Sequence, residues 1–271
     1  MTAHPLFPRR HVLDRAIARS IRDGTRIALF LDFDGTLTPI RESPSLVHVD
    51  PRMEQLLRRL LRRKDIALAI ATGRSEVDLR RTLHVGGIPL ISNHGFRFSS
   101  GKSQWVHPAA ERYKALMRTV AGKLTHALAL IHEALIENKG YTLTVNFRSV
   151  PAKSVPTVRL AVAEAVENHR DTLRITRGKK VLEVRPNVAW GKGHAVLRHL
   201  RSVNRSHTAL VVYIGDDQTD EDAFRLLPAP AITGVVGRQR KTAARYWLRS
   251  TAEVEEFLRR IEQIRLGELT E

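Results

Sequence analysis

The sequence predicts an α/β fold in which a doubly wound parallel sheet is interrupted by an inserted α+β layer. Three observations predict it. Apolar runs alternate with helical patterns through residues 26–105 and again through 187–271, as in a parallel sheet with helices on both faces. The runs are continuous in Val, Ile and Leu, as strands buried on both faces are. Between these stretches one run alternates strictly between apolar and polar residues, which marks a half-solvated strand.

In chain order, residues 1–25 hold a proline-containing start and a short helical pattern. IALFLDF (27–33) is the first strand. Asp50 and Pro51 begin a helix over 51–63, with aspartate at the N-cap and proline in the first turn. IALAIAT (66–72), a helix over 75–83 and the strand PLISN (89–93) follow. The insertion, 106–186, opens with one long helical pattern over 109–138. In YTLTVNFRS (141–149), Tyr141, Leu143, Val145 and Phe147 alternate with Thr142, Thr144, Asn146 and Arg148. A helix over 153–169 and two short strands in LRITRGKKVLEVRP (173–186), turning at Gly178, complete the layer. Parallel character then resumes: a helix over 192–203, ALVVYIG (209–215), a helix over 219–227, AITGVVG (231–237) and a helix over 251–265.

The 271 residues include no cysteine, which excludes disulfides, thiolate metal sites and a cysteine nucleophile. No stretch approaches the roughly 20 apolar residues of a membrane span, and the N-terminal segment lacks the apolar centre of a signal peptide. A cytoplasmic monomer without a membrane partner is the expectation. The net charge of +17 would suit a nucleic-acid surface. However, LLRRLLRRK (56–64) and RYWLRS (245–250) set arginine beside leucine as amphipathic surface helices do, and aromatics are only 6%. The charge is therefore read as solvated helix faces, with no nucleic-acid partner.

IALFLDFDGTLTPI (27–40) carries the chemistry. Asp32 and Asp34 stand two residues apart at the carboxyl end of a strand, where parallel α/β sheets bind ligands. They point the same way while Phe33 turns into the core. Two carboxylates this close repel, and burying either one unpaired is costly. A hard divalent cation such as Mg2+ relieves both problems. One carboxylate can then attack phosphorus, and its neighbour can protonate the leaving alkoxide and later activate water. Gly35 permits a tight turn, and free amides at Gly35 and Thr36 can hold a phosphate. A helix cap explains one aspartate but not the second.

DFDGTLTPI after a hydrophobic strand resembles the first motif of the haloacid dehalogenase-like phosphatase superfamily, and further motifs follow in that family's order. IALAIATGRS ends in Thr72, Gly73 and Arg74. WGKGHAV offers Lys192 at a helix start. VVYIGDDQTDEDAF ends in Asp216 and Asp217, with Asp220 one turn on. The resemblance implies an aspartyl phosphate at Asp32 and Asp34 as acid and base. It places Thr72 and Lys192 on the transferring phosphoryl, with Gly73 and Arg74 beside them. It assigns Mg2+ to Asp32, Asp34, Asp216 and Asp217, with Asp220 behind them. Asp217 fits equally a role in orienting a metal-bound water or Lys192. The insertion lies where this family carries C2-type caps. The implied fold is thus a haloacid dehalogenase-like core, 26–105 and 187–271, with a cap over 106–186.

SNHG (92–95), GKKVLEVRP (178–186) and GDDQTDEDAF (215–224) resemble the trehalose-6-phosphate phosphatases in particular. That resemblance implies a stand-alone phosphatase acting on trehalose 6-phosphate, with Lys179 and Glu183 on the sugar hydroxyls. Arg185 would face the site or bracket the hairpin, and Asn93 and His94 would line the entrance. Lys179 and Glu183 share a side if both lie on one strand, and a salt bridge on a solvated surface fits them equally. Sucrose phosphate, mannosyl phosphoglycerate or a hexose phosphate would keep the chemistry and change only the sugar. A basic nucleic-acid-binding protein on a fossil phosphatase core is the remote alternative.

Overall fold

The computed structural model describes residues 4–6, 10–42, 46–203, 209–237 and 241–266. Its contacts divide into two compact units, residues 1–104 with 191–271, and residues 105–190. The chain begins with β1 (His4–Pro5), α1 (Arg10–Arg22), β2 (Ile27–Leu31), α2 (Pro51–Leu61) and β3 (Ile66–Ala71). Next come α3 (Glu76–Thr82), β4 (Leu90–Ser92), β5 (Arg97–Ser100) and β6 (Ser103–Val106). The second unit holds α4 (Pro108–Arg112), α5 (Lys114–Ala127), β7 (Leu135–Asn138), β8 (Leu143–Asn146), α6 (Val155–Val166), β9 (Leu173–Gly178) and β10 (Val181–Pro186). The chain ends with α7 (Lys192–Val203), β11 (Leu210–Gly215), α8 (Glu221–Leu226), β12 (Ile232–Val236), β13 (Tyr246–Leu248) and α9 (Thr251–Leu266).

The first unit is built on a nine-stranded sheet of order β1-β13-β12-β11-β2-β3-β4-β5-β6. β2 lies between β3 and β11 and is parallel to both, with Leu29 in register with Leu68 and Val212. Every residue of β2 is buried, as its unbroken apolar run requires. The sheet turns antiparallel where β5 joins β4. Side chains cap the helices as their sequences prescribe. The Asp50 carboxylate accepts the Arg52 amide at 2.8 Å, and the Ser75 hydroxyl accepts the Asp78 amide at 3.1 Å. Part of the arginine excess is paired: Arg59 ties α2 to Glu262 of α9, and Arg63, just past α2, pairs with Asp65. No described helix is long and apolar enough to cross a membrane.

His199 on α7 is buried against the rings of Phe30 and Phe98. Burial pulls its imidazole from 6.5 down to about 4. The unfolded chain therefore binds a proton between these values that the folded chain refuses, so stability falls as pH drops through this window. At pH 4 the loss reaches about 3 kcal/mol, since each pKa unit is worth about 1.4 kcal/mol. Denaturant unfolding of wild type and His199→Leu at pH 7 and pH 4 checks this: the acid-induced loss is expected to be smaller in the variant by that amount.

In the second unit β7-β8-β10-β9 form an antiparallel sheet. Leu143, Val145, Leu182 and Val184 share an apolar core with Met117 and Leu124 of α5 and Val158 and Val162 of α6. In the first unit RYWLRS (245–250), read as an amphipathic helix, instead forms the strand β13, paired with β12 and β1. In the second unit the sequence expectation departs from the structure at three places. The single helix over 109–138 is instead α4, α5 and the strand β7. Short apolar runs fit both periods, and pairing of Leu135–Asn138 with β8 decides for strand. β8 is not half-solvated: Thr144 and Asn146 are buried along with Leu143 and Val145. The hairpin turns at Lys179 and Lys180 rather than at Gly178, which pairs with Val181. Lys180, the second residue of the turn, takes a left-handed φ of +63°, a conformation glycine adopts most readily. The Lys180 carbonyl accepts the Phe147 amide at 3.0 Å, and the Lys179 carbonyl accepts Arg148 at 2.8 Å.

Candidate active site

The Asp32 amide donates to the Ile214 carbonyl at 2.8 Å, so β11 holds the chain one residue past the end of β2. Phe33 is then buried. Gly35 bends the loop back with φ +81°, and a Cβ there would lie 2.3 Å from Asp216 Oδ2. A side chain at position 35 would therefore push the loop away from the end of β11. The amides of Gly35 and Thr36, expected to be free, donate to the carbonyls of Thr38 (2.7 Å) and Phe33 (3.3 Å). The amides that meet no acceptor among the described residues are those of Phe33 and Asp34. The buried Thr36 hydroxyl also has no hydrogen-bond partner among them.

Lys192 opens α7 and is buried, with Nζ 2.6 Å from Asp32 Oδ1 and 2.9 Å from Asp220 Oδ1. Burial pulls its ammonium down, but Asp220 and Asp32 outweigh burial and hold it well above the usual lysine range. Burial lifts the Asp32 carboxyl, Lys192 draws it back, and Asp220 and Asp216 add to the rise. Asp32 is left well above the usual carboxylate range. Asp220 receives four donors: Lys192 and the Tyr213 hydroxyl (2.7 Å) on Oδ1, and the amides of Asp216 (3.0 Å) and Asp217 (3.1 Å) on Oδ2.

Asp32, Asp216 and Asp220 bring carboxylate oxygens within 4.8 Å of one another. One ammonium beside three buried carboxylates leaves an excess of negative charge, which a divalent cation suits. The four donors fill the acceptor sites of Asp220, so the fit to a cation rests on Asp32 and Asp216. Asp34 and Asp217, expected as metal ligands, lie outside this group. Asp34, its side chain 39% exposed, is gripped by Arg74 through Nε at 2.7 Å and Nη2 at 2.8 Å. The third guanidinium nitrogen of Arg74 reaches Asp78 at 2.8 Å. Arg74, expected on the substrate, is thus committed to carboxylates. Asp217 accepts the Thr219 amide within its own turn.

Thr72 Oγ1 accepts the Arg74 amide at 3.1 Å and keeps its proton for another acceptor. Asn93 and His94, expected at an entrance, are instead buried props with φ of 50° and 54°. Their amides donate to the carbonyls of Arg74 (2.8 Å) and Thr72 (3.0 Å). The His94 ring lies so close to Gly73 that a Cβ on the glycine would stand 2.3 Å away.

In the second unit Glu183 and Arg185 are buried on one side of β10. Glu183 lies opposite Thr144 and Thr176 and is 3.9 Å from Lys139. Lys179 is exposed in the turn and not on the strand, so the same-side argument for Lys179 with Glu183 fails. Sequence reasoning missed Tyr213. Its signal was present, since a tyrosine in the otherwise aliphatic buried run ALVVYIG needs a partner for its hydroxyl.

A sequence model of the family described as trehalose-phosphatase matches residues 30–248. The chain belongs to the trehalose-phosphatase family. It is 33% identical over 256 residues to trehalose-phosphate phosphatase B of Arabidopsis thaliana, a match that covers 88% of this chain and 67% of that one. It also resembles the crystal structure of a trehalose-6-phosphate phosphatase related protein, with a TM-score of 0.77 at 25% identity over 89% of this chain and 100% of that one. A haloacid dehalogenase-like hydrolase from Bacteroides thetaiotaomicron shares the fold, with a TM-score of 0.58 at 18% identity over 88% of this chain and 100% of that one. The family's shared scaffold is thus a haloacid dehalogenase-like α/β fold.

Proposed function

We propose that the chain hydrolyses trehalose 6-phosphate to trehalose and inorganic phosphate in two displacements at Asp32. The supporting observation is the buried Asp32–Lys192–Asp220 chain with Asp216 beside it, in a member of the trehalose-phosphatase family. An Asp32 oxygen attacks phosphorus, the bond from phosphorus to the sugar oxygen breaks, and Asp34 gives that oxygen a proton. Water then loses a proton to Asp34 and attacks the same phosphorus, releasing phosphate and restoring the Asp32 carboxylate. The Lys192 ammonium, the Thr72 hydroxyl and the amides of Phe33 and Asp34 offset charge on the phosphoryl oxygens. Arg74 positions Asp34 rather than binding phosphate, and it releases one of the two Asp34 oxygens it holds so that Asp34 can carry the proton. A divalent cation, Mg2+ in this reading, held by Asp32 and Asp216, would neutralise charge on Asp32 and the phosphoryl group. The insertion over 106–186 acts as the cap that selects the sugar, with Glu183 and Arg185 as its contacts.

Phosphate release from trehalose 6-phosphate, sucrose 6-phosphate, mannosyl phosphoglycerate and glucose 6-phosphate tests the reading. Trehalose 6-phosphate is expected to lead in kcat/KM by at least about tenfold, or about 1.4 kcal/mol. EDTA is expected to stop release and added Mg2+ to restore it. A comparable lead for another sugar phosphate would defeat the substrate assignment.

A further inference from the structure

We propose that Tyr213 is a positioning residue that sets where the Lys192 ammonium points. The inference rests on the phosphoryl-transfer reading of this site but not on the identity of the sugar. Tyr213 lies on β11 with its side chain buried, edge-on to Phe224 of α8. Its hydroxyl donates to Asp220 Oδ1 at 2.7 Å, and the same oxygen receives Lys192 Nζ at 2.9 Å. A buried carboxylate oxygen with one cationic donor draws that donor closely, because nothing else offsets its charge. A second donor on the same oxygen weakens that pull. The ammonium is then left to reach Asp32 Oδ1, 2.6 Å away, and the phosphoryl oxygens that arrive there. The two amides on Asp220 Oδ2 prevent the carboxylate from rotating to escape the arrangement. Tyr213 touches neither substrate nor metal in this scheme, and acts through Asp220 alone.

Tyr213→Phe removes one oxygen and keeps the ring. Turnover is read with trehalose 6-phosphate and with p-nitrophenyl phosphate at saturating Mg2+. In the variant kcat is expected to fall about tenfold with both substrates while KM changes less than about twofold. Tyr213→p-aminophenylalanine, which restores a donor at the same place, is expected to recover at least about a third of wild-type kcat. Melting midpoints of Tyr213→Phe, Asp220→Asn and the double variant read the same hydrogen bond without turnover, and their losses are expected to be less than additive. The proposal is overturned if Tyr213→Phe turns over at the wild-type rate, if the amino variant is as slow as Phe, or if the midpoint losses simply add. It is also overturned if Tyr213→Phe fails to fold, since the hydroxyl would then serve the structure. Wild-type hydrolysis of p-nitrophenyl phosphate without trehalose 6-phosphate would refute the substrate assignment and leave this comparison intact.

Discussion

Asp32→Asn is expected to lower kcat by about 10^4-fold or more, because the variant has no oxygen able to form a bond to phosphorus and leave it again. The same change is expected to leave the fold in place. Asn keeps the size of the side chain and can still accept Lys192 Nζ at the position of Oδ1. It also removes one negative charge from a buried group that already holds Asp216 and Asp220, the crowding that helps lift the Asp32 carboxyl. The melting midpoint of the metal-free variant should therefore equal or exceed that of wild type. Phosphate release and thermal unfolding on the same samples check both halves. Appreciable turnover by the variant would remove Asp32 from the role of nucleophile.

Lys192→Ala should damage both stability and activity. The side chain is the shared cationic partner of Asp32 and Asp220, and all three are buried. Removing one member of a buried ion pair typically costs about 3–5 kcal/mol, because the remaining charges keep their desolvation cost and lose their compensation. In a chain of this size that corresponds to a melting midpoint lower by about 10 °C. Loss of a preorganised cation at the phosphoryl group is expected to lower kcat by about 10^2–10^3-fold. Mg2+ is expected to recover part of the lost midpoint but not the lost turnover, since it restores charge at Asp32 without placing a donor where the ammonium stood. A variant with wild-type midpoint and wild-type kcat would contradict both expectations.

Much of this was legible from residue order, because a parallel α/β sheet delivers its chemistry at strand ends. The buried run of β2 leads directly to Asp32, β3 to Thr72, and β11 to Asp216, and α7 begins at Lys192. What could not be read depends on which way side chains turn once there. The Arg74 grip on Asp34 joins residues forty apart in sequence, and the same guanidinium would suit a phosphate equally well. Asp216, Asp217 and Asp220 are chemically identical. Only the turn after β11 sends Asp217 toward Thr219 and Asp220 toward Lys192. In the second unit, Lys180 occupies a left-handed position where glycine is the common choice. That misplaced the hairpin turn by one residue and took Lys179 off the strand.

The most direct test of the account is to catch the phosphoryl group on the enzyme. Wild-type protein mixed with phosphorus-labelled trehalose 6-phosphate and Mg2+, quenched in acid within one turnover and digested, should yield label on the peptide that contains Asp32, removable by hydroxylamine as an acyl phosphate is. Steady release of labelled phosphate with no label ever trapped on that peptide, and with undiminished release by Asp32→Asn, would contradict it.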